Sequence, residues 1–200
     1  ARHFLYLSTY YIEYDTYGSE LLAALLEAQR RGVKVNLLID DFGQRLGGIL
    51  MATEDKARLA AQLDELIAAG ATLSRYKPTR LLQRWLGGGQ HVKIQVSEAG
   101  NAIFGSSNIT KSSFDGWNEY SVALRGPIVA TLLKSYRMIG GPVTDAHLSL
   151  LTDQESAETP RRHRRHLQRS DHYLLQAERP RTSAKLQPTL HATSDRQGNP

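Results

Sequence analysis

The sequence predicts an α/β fold, a mixed β-sheet flanked by helices. Three observations carry this. The chain opens with a strand–helix–strand unit, a helix–strand unit follows, and then the alternation gives way to a hairpin, "HVKIQVSEAGNAIFG", which brings antiparallel pairing into the sheet. In the first unit, "HFLYLSTYYI" alternates and is rich in aromatic and β-favouring residues, so it reads as a strand. "SELLAALLEAQRRG" places Leu21, Leu22, Leu25 and Leu26 at helical spacing. Arg30 and Arg31 fall in its last turn and Gly32 suits its C-terminal cap. "VKVNLLID" is the next strand, and the connection between the two strands reads as a parallel crossover.

The second unit repeats the plan. Thr53 is placed to cap a helix with an acidic first turn, Glu54 and Asp55. Leu59, Leu63, Leu66 and Ile67 line one face, and Gly70 ends the helix. "ATLSRY" is a short strand, and "KPTRLLQRWLGGG" is a basic, glycine-terminated connection leading to His91. After the hairpin come a strand at "EYSVALRG" and a helix opened by Pro127. Beyond about Thr152 the pattern fails. The segment is polar, punctuated by proline and poor in large apolar residues, so residues 1–152 are expected to form one domain and residues 153–200 a disordered tail or linker.

Composition narrows the function classes. The chain has 200 residues, 40% of them hydrophobic, which suits one domain able to bury a core. Its apolar runs fall well short of the roughly 20 residues of a membrane span. There is no cysteine, which excludes disulfides and thiolate metal sites. No leader-like start is visible, and the reading is of a piece whose start has been cut short. The net charge is +5. Residues 1–152 hold 16 Lys/Arg against 14 Asp/Glu, and residues 153–200 hold 9 against 6, so the basic excess is concentrated in the tail. Such an excess favours anionic partners, phosphodiesters or acidic lipid surfaces.

The hairpin carries the chemistry. His91 and Lys93 alternate with Val92, Ile94 and Val96, so they share one face of a strand, roughly 7 Å apart, while the valines and isoleucine face the core. An imidazole can attack phosphorus or move a proton near neutral pH. An adjacent ammonium neutralises the non-bridging oxygens as charge builds. Ser106 and Asn108 add neutral donors, and Gly105 lets backbone approach a bulky anion.

His91-x-Lys93, four residues, Glu98, six residues, and then Gly105-Ser106-x-Asn108 resembles the HxKxxxxDxxxxxxGSxN signature of the phospholipase D superfamily. The stretch "YYIEYDTYGSELLAALLEAQRRGVKVNLLIDDFG" is similar to the amino-terminal segment of its cardiolipin synthase branch, and the order of elements agrees from about residue 1 to 140. The resemblance implies the phospholipase D-like sheet with one such motif, phosphohistidine chemistry, and phosphatidyl transfer or phospholipid hydrolysis without metal or cofactor. It makes His91, Lys93 and Asn108 catalytic residues, Lys93, Ser106 and Asn108 phosphate ligands, and Glu98 and Gly105 structural members of the motif. Glu98 departs from the usual Asp. Glu119, 28 residues after His91, stands where related chains keep an acid that orients the histidine. The resemblance further implies an anionic phospholipid substrate, a location in the cytoplasm or at the membrane surface, and a bacterial origin.

Two such motifs meet in a superfamily site, and this chain has one, so a second half is expected, as an absent carboxy-terminal domain or a second copy. Other readings stay open. The chain is alternatively a single-motif homodimeric endonuclease, with nucleic acid the lesser candidate as partner, or a catalytically weak anion-binding module. Asp40 and Asp41, at a strand's carboxyl end, either line the cleft or serve as cap and turn. Tyr10, Tyr11 and Trp85 either contact substrate or pack. The "RRHRRH" run, Arg161 to His166, is either an anion-binding patch or a solvated linker.

Overall fold

The computed structural model describes residues 1–78 and 89–153. β1 (Phe4–Thr9), α1 (Thr16–Arg30) and β2 (Lys34–Asp40) form the expected crossover, with β1 and β2 parallel. Asp15 starts α1 by accepting the Gly18 N–H at 2.8 Å. Gly32, at φ +90°, takes the left-handed conformation that turns the chain into β2. α2 (Asp41–Leu50) and α3 (Thr53–Ala68) then lead to β3 (Thr72–Tyr76), parallel to β2. β4 (Lys93–Ser97), β5 (Asn101–Gly105) and β6 (Ser121–Arg125) form an antiparallel meander, followed by α4 (Ile128–Met138).

β4 runs antiparallel beside β1, which joins the two halves into one sheet of order β3-β2-β1-β4-β5-β6. The α/β mixed sheet is the predicted architecture. Alternation along the strands divides the core. On one face Leu7, Val35, Leu37 and Ile39 pack against Leu22 and Leu25 of α1 and Leu63 and Leu66 of α3. On the other, Phe4, Tyr6, Leu38, Ile94 and Val96 pack against Val129, Leu133 and Tyr136 of α4. Each fully buried Leu or Ile stabilises the fold by roughly 1.5–3 kcal/mol relative to exposure.

Helices α1 and α3 cover the parallel half of their face. Over β4–β6 no α-helix among the described residues covers the same face, and Ile103 there is 44% exposed. Lys93 and Gln95 point to this side because Ile94 and Val96 take the other.

Five features differ from the sequence expectation or were not foreseen. Thr53 is the first residue of α3 rather than its cap; Ala52 holds the cap position with no side-chain bond. Helix α2 went unanticipated, as did a single π-helical turn at Ser112–Gly116. Residues 145–153 are helical, with Leu151 buried and the Tyr6 hydroxyl 2.7 Å from Nδ1 of His147. Regular pairing in the hairpin starts at Lys93, not His91. The Ser8 hydroxyl intervenes there, donating to the Val92 carbonyl at 2.8 Å and accepting from the Ile94 N–H at 3.2 Å. Trp85, the "RRHRRH" run and the tail from residue 154 lie outside the described residues.

Candidate active site

The start of β4 and the end of β5 lie side by side, with Lys93 paired to Gly105, so His91 and Lys93 neighbour Gly105 and Ser106. Lys93 Nζ stands 3.3 Å from Nδ1 of His91 and donates to the His91 carbonyl at 3.1 Å. An ammonium can only donate, so Nδ1 presents its lone pair to it. The Tyr10 ring lies against the imidazole, with centroids 3.8 Å apart and planes 33° apart, and Lys93 Nζ is 5.7 Å from the centre of the same ring.

Burial lowers the pKa of His91 below its ordinary value and the Lys93 charge lowers it further, against the opposing pull of the Asp40 carboxylate. Both effects favour the neutral ring, the state a nucleophile needs. Lys93 is also held below its ordinary value, by burial, with Glu119 opposing. Lys93, Gln95, Gly105, Ser107, Phe114 and Ser121 contribute to the walls of a cleft of about 360 Å³ on the open half of the sheet face. A second pocket of about 390 Å³, between α2 and α3, contains no motif residue.

The structure pairs Glu119 differently from the sequence expectation. Its carboxylate accepts a hydrogen bond from the Ser106 hydroxyl, not from His91. The β5–β6 register causes this. Gly105 faces Ser121, the Ser106 N–H donates to the Tyr120 carbonyl at 3.0 Å, and the Tyr120 N–H donates to Ser106 Oγ at 3.1 Å. Glu119 thus holds Ser106 and reaches Lys93 through charge alone. Gly105 has a packing reason as well: a Cβ there would lie 2.4 Å from the Tyr120 carbonyl oxygen.

Asn108 is buried, with its N–H donating to Ser113 Oγ at 3.3 Å and its side-chain oxygen without a hydrogen-bond partner among the described residues. Glu98 lies in the turn at the far end of β4 from Lys93. Its carboxylate takes the Arg2 N–H at 2.5 Å and the Phe4 N–H at 3.3 Å, anchoring the start of β1 behind the hairpin. The longer acid still finds its donors.

Sequence reasoning named Asp40, Tyr10 and Tyr11, and the structure bears out the cap and packing alternatives; what it missed is their relation to His91. Asp40 is buried at the carboxyl end of β2 and accepts both the Gly43 N–H of α2 and the Gln90 N–H, each at 2.6 Å. Its terminal position on a strand was the available signal; its bond to Gln90 spans 50 residues and has none. Tyr10 packs on His91, and the Tyr11 ring packs on Gly47 of α2. Among the described residues no group of three or more His, Asp or Glu side chains is gathered as a metal-binding set.

A parallel-to-antiparallel sheet whose hairpin carries His-x-Lys and Gly-Ser-x-Asn beside a cleft is the phospholipase D type of domain. Residues 1–137 match the family described as "Cardiolipin synthase, PLD-like domain", and the chain belongs to that family. It is 30% identical over 141 residues to a cardiolipin synthase of Geobacillus kaustophilus, a match covering 66% of this chain and 26% of that protein. It is also 30% identical over 147 residues to cardiolipin synthase B of Escherichia coli, covering 67% of this chain and 32% of that one. The chain thus spans between about a quarter and a third of the relatives it matches. Its fold is similar to that of Nuc, a phospholipase D family member from Salmonella typhimurium, with a TM-score of 0.53, 19% identity, and 71% of this chain and 82% of that one covered. Among the described residues no helix is long and apolar enough to cross a membrane.

Proposed function

We propose that this chain supplies one half of a phospholipase D-type site that moves the phosphatidyl group of an anionic phospholipid to a second alcohol, or to water, through a phosphohistidine. The observation that carries this reading is the His91 imidazole with the Lys93 ammonium 3.3 Å from its Nδ1, beside a cleft that Lys93 lines. A ring nitrogen of His91 forms the bond to phosphorus as the bond to the leaving alcohol breaks. Lys93 neutralises a non-bridging oxygen during this step. The leaving oxygen takes its proton from an acid on the far side of the phosphorus. An acceptor alcohol or water, deprotonated by that same group, then attacks the phosphohistidine and frees His91.

One histidine cannot stand on both sides of an in-line displacement, so a second motif histidine is required. Ring geometry argues the same way. Attack through Nε2 needs the ring proton on Nδ1 and an acceptor facing it. Within this chain Nδ1 faces an ammonium, and the nearby carboxylate of Glu119 is engaged by Ser106. The second half, from a further domain or a second copy, is where that acceptor would come from. The proposed lipid substrate favours action at a membrane surface, with a cytoplasmic location.

A homodimeric endonuclease is the second reading. It is favoured by the single His-x-Lys motif, which a second copy of the same chain would complete to a pair. Incubation with phosphatidylglycerol and, separately, with single- and double-stranded DNA in EDTA distinguishes the two. Cardiolipin or phosphatidic acid as product supports the lipid reading. DNA cleavage with no lipid product overturns it, and turnover of neither substrate, with a second motif half supplied, removes both readings.

A further inference from the structure

We infer that Asp40 is a positioning residue for His91, holding the backbone that carries the imidazole while Tyr10 supports the ring face. The role of His91 rests on the proposed function above; the geometry of the clamp does not. Asp40 is 1% exposed and ends β2. One oxygen accepts the Gly43 N–H and so caps α2, and the other accepts the N–H of Gln90, the residue before His91. A neutral cap such as Asn would serve α2 alone about as well. Asn cannot serve both donors, because its amide nitrogen would meet one of the two N–H groups. A carboxylate at this position is explained by the second bond.

Tyr10 fills the space between these parts. A Cβ at Gly43 would lie 2.5 Å from its ring, and one at Gly89 would lie 2.8 Å from its ring and 3.1 Å from Asp40 Oδ1. The two glycines let α2 and the residue-89 backbone close on the tyrosine, whose ring then meets His91 at 3.8 Å. Among the described residues, the titratable groups facing the imidazole are Lys93 from β4, Tyr10 after β1, and Asp40 at the end of β2. Asp40 is the anion among them, opposing burial and Lys93.

The test is NMR on the 200-residue chain without substrate, comparing wild type with Asp40→Asn. Loss of the anion leaves burial and Lys93 unopposed, so the His91 ring should titrate at lower pH. The Gln90 amide should lose at least about tenfold in hydrogen-exchange protection as its acceptor goes. In the two-half enzyme, kcat should fall about 100-fold with KM nearly unchanged, as misplacement of a reacting group predicts. Should Asp40→Asn not fold, Gly89→Ala probes the same clamp from an exposed segment. Its methyl meets Tyr10 and Asp40 and should shift the His91 ring signals and expose the Gln90 amide. A lower melting temperature with the His91 titration and Gln90 exchange unchanged would mean that Asp40 only caps α2, and would overturn the inference. A moved His91 titration in an enzyme that turns over no phosphodiester upholds the clamp and removes only the functional reading.

Discussion

Lys93 Nζ lies 3.3 Å from Nδ1 of His91, so the motif's base and its cation are in direct contact before any substrate arrives. Contact with a cation, added to partial desolvation against the Tyr10 ring, disfavours protonation of the imidazole, while the ammonium stays beside the place where phosphate charge would develop.

His91→Ala should abolish turnover by the two-half enzyme, a loss of several orders of magnitude, because it removes the imidazole that stands against Lys93 beside the cleft. His91 is exposed and its side chain is outside the core clusters. Unfolding stability should therefore change by no more than about 0.5 kcal/mol. Denaturant melts and phosphodiester assays on the same preparation check both halves of the statement.

Lys93→Met keeps the stem and removes the charge. Transition-state stabilisation should fall by roughly 3–4 kcal/mol, comparable to deleting an oxyanion donor. The His91 titration should move the opposite way from Asp40→Asn, to higher pH, since Lys93 lowers it in the wild type. Unchanged kinetics with an unmoved titration would take Lys93 out of the site.

Glu98 makes a pH-dependent contribution to stability. Burial pushes its carboxyl up, but N–H groups of Arg2, of Glu98 itself, of Phe4 and of His3 outweigh that, and its folded pKa lies below the ordinary value of 4.5. The unfolded chain binds this proton at higher pH than the folded one. The contribution is thus complete above about pH 4.5 and is lost as pH falls through the folded value. Glu98→Gln should cost about 1–3 kcal/mol at neutral pH and flatten the acid limb of the stability profile. An acid limb identical to wild type would show that Glu98 does not anchor β1 through its charge.

The composition beyond Thr152 predicts that removing residues 154–200 leaves the thermal midpoint within about 2 °C, since scattered prolines and absent apolar periodicity leave little to dock. Differential scanning calorimetry of the two forms checks this, and a drop of many degrees would contradict it.

What was legible in the sequence follows the reach of each signal. β1, α1 and β2 were readable because periods of 2 and 3.6 report burial on a local face. The motif was readable because its spacing is local to one hairpin. Helix α2 was not, because Gly43, Gly47 and Gly48 dilute its helical signal. Gly43 and Gly47 make sense only against tertiary neighbours, meeting Tyr10 and Tyr11. Glu119 was assigned to His91 because sequence spacing says nothing of which end of β5 it faces; the β5–β6 register places it on Ser106. The bond from Asp40 to Gln90 depends on where β2 ends relative to β4, which is set by β1 lying between them.

The central claim is that His91 and Lys93 form half of a phosphodiester site completed by a second motif. It is tested most directly by measuring specific activity on phosphatidylglycerol against protein concentration, with and without a fused second half, for wild type and for mixtures with His91→Ala. The account predicts activity only when a second histidine motif is present. It would appear either on fusion or as concentration rises through a dimer range, and in the dimer case the mixed chains would be impaired rather than half active. Robust, concentration-independent turnover by a monomer of this chain, shown by light scattering under assay conditions, would contradict it.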